Sequence, residues 1–232
     1  DGADELVQAT GFLKGDTDRW PQLQELAMAN DQLLRRPWAW PAFQPGDDLS
    51  GHEHNPFWVR DDQGRYNDIA PQLGLDTPEV SRAFALGDVN GDGLLDVLVA
   101  NQWENSQVLI NDTTGAPPGI NLRLLVPARA DEGAWRPALG AKVTVRTGSA
   151  PHQTRQLFPA NGHTGVSADT LHLAAPESGP LPVTLSWRDP DGETHTADTE
   201  LEPGSHVLHL DDGTATARRP RSRPAGRGSA WP

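Results

Sequence analysis

The sequence predicts a mainly β protein, built from many short strands and divided into two β-rich parts. Its 232 residues include 23 Gly and 21 Pro, which favour turns over long helices. After Asn121, short strand-like stretches recur about every ten residues, which is typical of a small all-β sandwich or barrel. Two of these stretches, Lys142–Arg146 and Thr184–Trp187, alternate polar and apolar residues as half-buried strands do.

The N-terminal part, residues 1–54, is predicted to be largely irregular. A short strand is predicted over Asp4–Phe12, and the spacing of Leu residues predicts a short helix over Pro21–Arg36. Trp38 and Trp40 then lie among prolines, which indicates an aromatic loop packed on a surface. Stacking of exposed Trp on sugar rings is the alternative for such residues.

Residues 55–113 carry the next group of predicted strands. Pro56–Arg60 and Arg65–Ile69 flank a turn at Asp61–Gly64, which is a β-hairpin signal. Arg82–Leu86 and Leu95–Ala100 are strand-like and enclose a loop rich in Asp and Gly. We expect these four strands to form a single sheet with apolar residues on both faces.

Composition divides the rest of the chain into three segments. Thr113–Gly119 contains two Pro and two Gly and is predicted to be a linker. Residues 120–211 are predicted to form the second, all-β domain. Residues 212–232 combine five Arg with Pro, Gly, Ser and Ala and almost no apolar residue, so we predict a disordered basic tail.

Charge and residue usage exclude several classes of function. The net charge of −13 disfavours nucleic acid and anionic lipid and attracts divalent cations, although acidity can also serve only solubility. There is no Cys, which excludes disulfides and Cys-based zinc sites. No apolar run approaches the ~18 residues of a membrane helix. Because Asp1 is not an initiator Met, we expect further sequence upstream.

One loop carries a metal-binding pattern, D-x-N-x-D-G-x-x-D, over Asp88–Asp96. Calcium takes six to eight oxygen ligands at about 2.3–2.6 Å, and alternating side chains in a tight turn can supply them. Gly91 and Gly93 permit the positive φ that such a turn can require. The predicted ligands are the side chains or carbonyl oxygens of Asp88, Asn90, Asp92, Leu94 and Asp96.

An EF-hand begins in the same way but needs a Glu at loop position 12 and flanking helices. Val99 occupies that position here, and the flanking segments are strand-like. The pattern therefore favours a strand–loop–strand calcium site. The remaining alternative is a turn of Asp, Asn and Gly without metal.

Two stretches resemble known families. Arg82–Gly87 with the loop that follows resembles the FG-GAP (VCBS-type) repeat of integrin-like β-propellers, and Pro56–Ala70 is similar to the strands that precede that loop. Leu139–Val145, Gln153–Gln156 and Asn161–His163 resemble the ASPIC and UnbV domain, which often follows such propellers in proteins that include the cartilage acidic protein family. The resemblance implies a partial β-propeller of about one blade with a calcium loop, followed by a small all-β domain.

The same resemblance implies a function. It suggests a calcium-binding, extracellular-type binding or adhesion module, secreted, periplasmic or on the cell surface, with a protein or glycan ligand. One blade exposes its faces, so upstream blades or a partner chain are expected to cover them. An accessory or catalytic part of a biosynthetic or polysaccharide-processing enzyme is the alternative. The sequence shows no nucleophile elbow and no phosphate-binding loop, and no catalytic residue is predicted.

Two further sites have alternatives that the sequence leaves open. A strand over His52-Glu53-His54 would place both imidazoles on one face, as a transition-metal site can require, whereas the alternative is an exposed polar loop. Asn111-Asp112-Thr113 fits an N-glycosylation acceptor, which matters only if the source organism glycosylates the protein.

Overall fold

The computed structural model describes residues 3–29, 31–116, 119–129, 133–146, 148, 152–162, 165–175 and 179–218. The fold is mainly β, as predicted, and fits a partial propeller followed by a β domain. No closed barrel is formed by the described residues, so the second domain is a sandwich. None of the helices in these ranges has the length and apolarity that crossing a membrane requires.

The first 50 residues contain three two-residue strands and a helical segment. The predicted helix Pro21–Arg36 is interrupted, because the backbone at Ala29 turns extended with ψ −179° and ends the first helix. Leu26 is buried, whereas Met28 is 88% exposed, so only one side of this segment packs on the protein. The elements here are β1 (Leu6–Val7), β2 (Thr17–Asp18), α1 (Trp20–Met28), α2 (Asp31–Leu34), a 3₁₀ turn (Pro37–Ala39) and β3 (Asp47–Asp48).

The strands predicted to form one sheet lie in two separate three-stranded sheets, which corrects that expectation. Between them the chain forms a short helix that ends at Gly74, whose φ of 69° is left-handed. This connection is helical and too long for a hairpin, so the strand before it does not pair with the strand after it. The elements are β4 (Phe57–Arg60), β5 (Tyr66–Asp68), α3 (Ala70–Leu73), β6 (Ser81–Gly87), β7 (Asp96–Asn101) and β8 (Gln107–Leu109).

The first of these sheets has the order β1-β4-β5 and the second β6-β7-β8. Strand β1 belongs to residues 1–54, which were predicted to be separate from this part. It nevertheless pairs with β4, with Leu6 opposite Trp58 and Val7 opposite Phe57. The shared core is small and consists of Ala70, Leu75, Phe84 and Val99.

The second half of the chain is a β-sandwich. Its strands are β9 (Ile120–Pro127), β10 (Trp135–Pro137), β11 (Lys142–Val145), β12 (Gln153–Gln156), β13 (Ala160–Asn161), β14 (Gly165–Val166), β15 (Leu171–Leu173), β16 (Leu181–Arg188), β17 (Thr194–Leu201), β18 (Gly204–Asp211) and β19 (Thr214–Arg218). One sheet has the order β10-β9-β18-β19 with β15 also paired to β9, and the other has the order β12-β11-β16-β17.

Alternation along the strands builds the core of the sandwich. In β9, Leu122 and Leu124 are fully buried, and from the facing sheet Val143, Leu185 and Trp187 join the same apolar cluster. Burying apolar side chains in this way contributes roughly 1.5–3 kcal/mol for each large residue. This cluster is much larger than that of the N-terminal sheets, so most of the hydrophobic stabilisation lies in the sandwich.

The segment predicted to be a disordered tail begins with a strand, which corrects the boundary at residue 212. Strand β19 pairs antiparallel with β18 through a turn at Asp212 and Gly213, whose φ values are 42° and 73°. An Asp-Gly pair with both φ positive is a favoured two-residue hairpin turn. Arg-rich composition concealed this local signal. Residues 219–232, the rest of the predicted tail, lie outside the described residues.

The hairpin β13–β14 joins the two halves of the chain. Its neighbour Ser167 accepts a hydrogen bond at Oγ from the Leu86 backbone N–H at 3.3 Å. Gly165 lies so close to β6 that an added Cβ would be 2.9 Å from the Phe84 carbonyl oxygen. The hairpin therefore lies along the outer edge of β6.

Several turns are closed by carboxylates with lowered pKa values. The Arg65 backbone N–H is the main cause of the lowered pKa of Asp61, and the hydrogen bond with His195 is the main cause at Asp189. Burial raises the pKa of both carboxyl groups, but by less than the hydrogen bonds lower it. The carboxylates whose pKa is lowered are Asp47, Asp61, Asp68 and Asp189.

Truncating a core side chain of the sandwich should destabilise the protein more than truncating an exposed side chain of the same domain. Leu124→Ala should lower the free energy of unfolding by about 2–5 kcal/mol, because it leaves a cavity in the core. Phe158 is 73% exposed in the same domain, and Phe158→Ala should stay within about 0.5 kcal/mol of the native value. Urea denaturation followed by circular dichroism measures both. Equal losses in the two variants would contradict the packing described here.

Acid should destabilise the fold through the lowered carboxylates. Such groups bind protons more weakly when folded, so their contribution is present above the unfolded pKa of about 3.9 and is lost as pH falls through the folded values. We expect the Tm to fall between about pH 5 and pH 3. Asp189→Asn should reduce this dependence, because it removes the carboxylate whose pKa the hydrogen bond with His195 lowers. Identical pH profiles for Asp189→Asn and the native chain would refute the assignment.

Candidate metal centre

The predicted metal loop connects two paired strands. Gly87, the last residue of β6, pairs with Asp96, the first residue of β7, so the intervening residues form a closed loop. Gly91 and Gly93 have φ values of 83° and 90°, a conformation that glycine adopts readily. The tight turn that the spacing predicted is therefore present.

Backbone N–H groups of the loop point at its own side-chain oxygens. Asp88 Oδ1 accepts from the Gly91 N–H at 2.7 Å, and Asp88 Oδ2 accepts from the Gly93 N–H at 3.0 Å. Asn90 Oδ1 accepts from the Asp92 N–H at 3.0 Å, and Asp92 Oδ1 from the Leu94 N–H at 2.8 Å. These bonds hold the oxygen-bearing side chains within the turn and leave lone pairs free for a cation.

Asp96 differs from the other loop carboxylates because it has no exposed surface. Its Oδ2 accepts from the Val89 N–H at 2.7 Å and its Oδ1 from the Asn111 N–H at 2.9 Å. Among the described residues, no Lys, Arg or His forms an ion pair with it. A buried carboxylate is costly unless its charge is compensated, and two neutral donors compensate it only in part.

The residues fit a calcium ion in the chemistry of their donors. All five predicted ligands offer oxygen, which a hard cation prefers, and none offers nitrogen or sulfur. Among the described residues, one group of three ligand atoms from His, Asp or Glu lies within 4.8 Å of one another, and that group is not in this loop. Asp92 Oδ2 instead accepts from Asn90 Nδ2 at 2.8 Å.

Sequence reasoning missed one side chain at the loop. Asn121, at the start of β9, donates from Nδ2 to Asp88 Oδ2 at 3.2 Å. Its Oδ1 contacts His172 Nδ1 at 2.7 Å. Burial lowers the pKa of His172, the Asp88 charge opposes this shift, and Arg155 adds to it. Asn121 and Asp88 are 33 positions apart, and no local pattern connects residues at that separation, so this contact could not be predicted from spacing.

The two histidines at 52 and 54 do not face a common point. His52 Nε2 lies 3.1 Å from Asp48 Oδ2, and His54 Nε2 lies 2.9 Å from Asp68 Oδ2. Residues 51–56 form no strand, so the face-sharing on which the transition-metal hypothesis depended is absent. The polar-loop alternative describes this segment better.

A second cluster of possible ligands lies at the turn between β16 and β17. One ligand atom each from Asp189, Glu193 and His195 falls within 4.8 Å of the other two. His195 Nε2 is bonded to Asp189 Oδ2 at 2.8 Å, and Trp187 stacks on the imidazole with 5.6 Å between ring centroids. Asp189 Oδ1 also accepts from the Glu193 N–H, so these contacts close the hairpin without an ion.

The predicted glycosylation acceptor lies beside the metal loop. Asn111 Nδ2 donates to the Leu95 carbonyl at 3.3 Å, and its Oδ1 accepts from Thr113 Oγ1 at 2.7 Å. Its backbone N–H is the one that reaches Asp96. Asn111 therefore has a structural role next to the loop, whether or not it carries a glycan.

Two family models match parts of the chain. The sequence model of the FG-GAP repeat matches residues 81–116, which include β6, the metal loop, β7 and β8. The model of the ASPIC and UnbV domain matches residues 131–217, which include most of the sandwich and reach into β19. No curated protein matches the chain. The chain therefore contains an FG-GAP repeat followed by an ASPIC and UnbV domain.

Proposed function

We propose that this chain is a calcium-binding module of an extracellular-type binding or adhesion protein. The observation that carries the proposal is the loop of oxygen donors closed by the fully buried Asp96. FG-GAP repeats often bind calcium and are typical of extracellular proteins, which supports both parts of the proposal. The ligands are Asp88, Asn90, Asp92, the Leu94 carbonyl and Asp96.

Bound calcium supplies positive charge to a loop that has three carboxylates and, in the part of the chain that the structure describes, no ion pair with Lys, Arg or His. Asp96 would then have its charge compensated while it continues to accept the Val89 and Asn111 N–H groups. Because Asp96 begins β7 and Val89 follows β6, the loop residues link the two strands of the repeat. The role of the ion is structural: it holds a rigid scaffold on which a protein or glycan partner binds.

The N-terminal sheets share only a small core, so a bound ion adds rigidity where apolar packing supplies little. An apolar cleft lies between the two sheets, lined by residues that include Phe57, Val59 and Leu109. At their surface, Leu6, Val108 and Ile110 are each about half exposed. We propose that further propeller blades or a partner chain cover this surface in the functional protein.

Calcium should stabilise the protein. At a free calcium concentration 100 times Kd, linkage should add about 2.7 kcal/mol to the free energy of unfolding, and the Tm should rise. Asp92→Ala should abolish the rise because it removes a charged ligand. Magnesium should substitute poorly, since it requires a tighter octahedral site and loses water reluctantly.

Scanning calorimetry with calcium and with a chelator measures these effects. Asp62→Ala is a matched control, because Asp62 is an exposed Asp in a different tight turn, at the β4–β5 hairpin. It should retain the full response to calcium. A native Tm that neither calcium nor chelator changes would rule out the proposed site.

Exposed apolar surface should make the isolated chain associate. Apolar area left in water forgoes roughly 25 cal/mol per Å², which favours contact between copies. Sedimentation velocity at tens of micromolar should show oligomers, and Val108→Lys with Ile110→Lys should shift the chain towards monomer. A native chain that sediments as a single monomer and binds no hydrophobic dye would show that these sheets need no cover.

A further inference from the structure

The metal loop contacts the C-terminal domain at two points. The Gly119 backbone N–H donates to the Gly93 carbonyl at 3.1 Å. Asn121 Nδ2 donates to Asp88 Oδ2 at 3.2 Å. Both acceptors belong to the loop, and both donors lie at the beginning of the sandwich. The strand β9 that carries Asn121 is central in its sheet, so the donors are held by the rigid part of the molecule.

The orientation of the Asn121 amide follows from its two neighbours. The Asp88 carboxylate can only accept, so the amide nitrogen must face it and the amide oxygen must face His172. His172 is the cross-strand partner of Asn121 in the β9–β15 pair, and its Nδ1 lies 2.7 Å from Asn121 Oδ1. His172 Nδ1–H therefore donates to the amide and holds its nitrogen towards the loop.

Close packing keeps this arrangement in place. A Cβ added at Gly119 would lie 2.4 Å from His172 Cε1, so the approach of the chain to the imidazole requires glycine there. The Gly119 carbonyl in turn accepts from the Gly204 N–H at 2.9 Å, which ties this segment to β18. Loop, Asn121, His172 and the central sheet thus form one continuous set of contacts.

We propose that Asn121 is a positioning residue of the metal site, which fixes the Asp88 carboxylate and couples ion binding at the loop to docking of the C-terminal sandwich. The inference rests on the calcium function proposed above. The Asn121 amide nitrogen donates to the Asp88 carboxylate, and its oxygen is bonded to His172. It acts through Asp88, and His172 acts through Asn121.

The coupling has a defined direction and size. Partners that orient a metal ligand by hydrogen bonding typically change metal affinity by about 10–100-fold. Asp88 keeps its bonds from the Gly91 and Gly93 N–H groups without Asn121, so we expect the lower end, about 10-fold. Coupling between two equilibria is reciprocal, so calcium should tighten the contact at Gly119 and Asn121 by the same factor.

Isothermal titration of the full chain with calcium chloride tests the effect on affinity. Asn121→Ala should weaken calcium binding about 10-fold, and His172→Phe, which removes the donor to the amide, should weaken it in the same direction. Thr154→Ala is the matched control, because it removes an exposed side-chain hydrogen bond from the opposite sheet of the same domain. It should bind calcium as the native chain does.

Hydrogen exchange gives a readout that general destabilisation would not reproduce. Calcium should slow exchange in the native peptide that covers residues 119–123, and Asn121→Ala should remove most of that protection while the loop peptide 88–96 still responds. Melting of each variant in chelator separates loss of fold from loss of binding. If Asn121→Ala unfolds, Asn121→Ser provides the same comparison with a smaller change.

The outcomes distinguish this inference from the function on which it rests. A native chain that binds no calcium overturns both. A native chain that binds calcium, with Asn121→Ala within twofold of its affinity and the same protection at 119–123, overturns the coupling and leaves the calcium function standing. Loss of affinity in Thr154→Ala equal to that in Asn121→Ala would also contradict a specific role for Asn121.

Discussion

The organisation of the repeat depends on the hydrogen bonds that the buried carboxylate of Asp96 accepts. It stands where β7 begins, accepts the Val89 N–H from the metal loop, and accepts the Asn111 N–H from the chain that leaves β8. Three separate segments therefore converge on one side chain. Because that side chain has no exposed surface and no cationic partner among the described residues, its charge must be balanced by the loop itself or by an ion.

The two halves of the chain differ in their local stability against unfolding. The sandwich has a continuous core from both of its sheets, whereas the N-terminal sheets share only a few buried residues. Local stability follows buried apolar contact, so the N-terminal sheets belong to the weaker part of the molecule. Asn121 of the sandwich donates a hydrogen bond to the metal loop, and Leu86 of β6 donates one to Ser167, so the weaker part is connected to the stronger one.

Local patterns allowed much of this architecture to be predicted. Alternation predicted β11 and β16, the Asp-Gly spacing predicted the loop between β6 and β7, and the resemblance to an FG-GAP repeat followed by an ASPIC and UnbV domain is confirmed. The pairing of β1 with β4 could not be predicted, because a two-residue strand has no period to detect. Strand β19 was not predicted, because the composition of residues 212–232 is Arg-rich and typical of disorder, whereas the local signal is only a short Thr-Ala alternation after an Asp-Gly turn. Asn121 was missed for a different reason: its role depends on folding distant segments together, which spacing along the chain does not encode.

The position of the β13–β14 hairpin determines which edge of the β6-β7-β8 sheet is open to pairing with another strand. Sheet edges offer unpaired backbone groups to any incoming strand. On β6 the backbone groups of Phe84 and Leu86 face the hairpin and Ser167, so that edge is closed to other chains. The opposite edge is β8, only three residues long, with Val108 more than half exposed. The two edges of the sheet are therefore unequal: β6 is covered by the hairpin, whereas β8 offers a short, exposed edge.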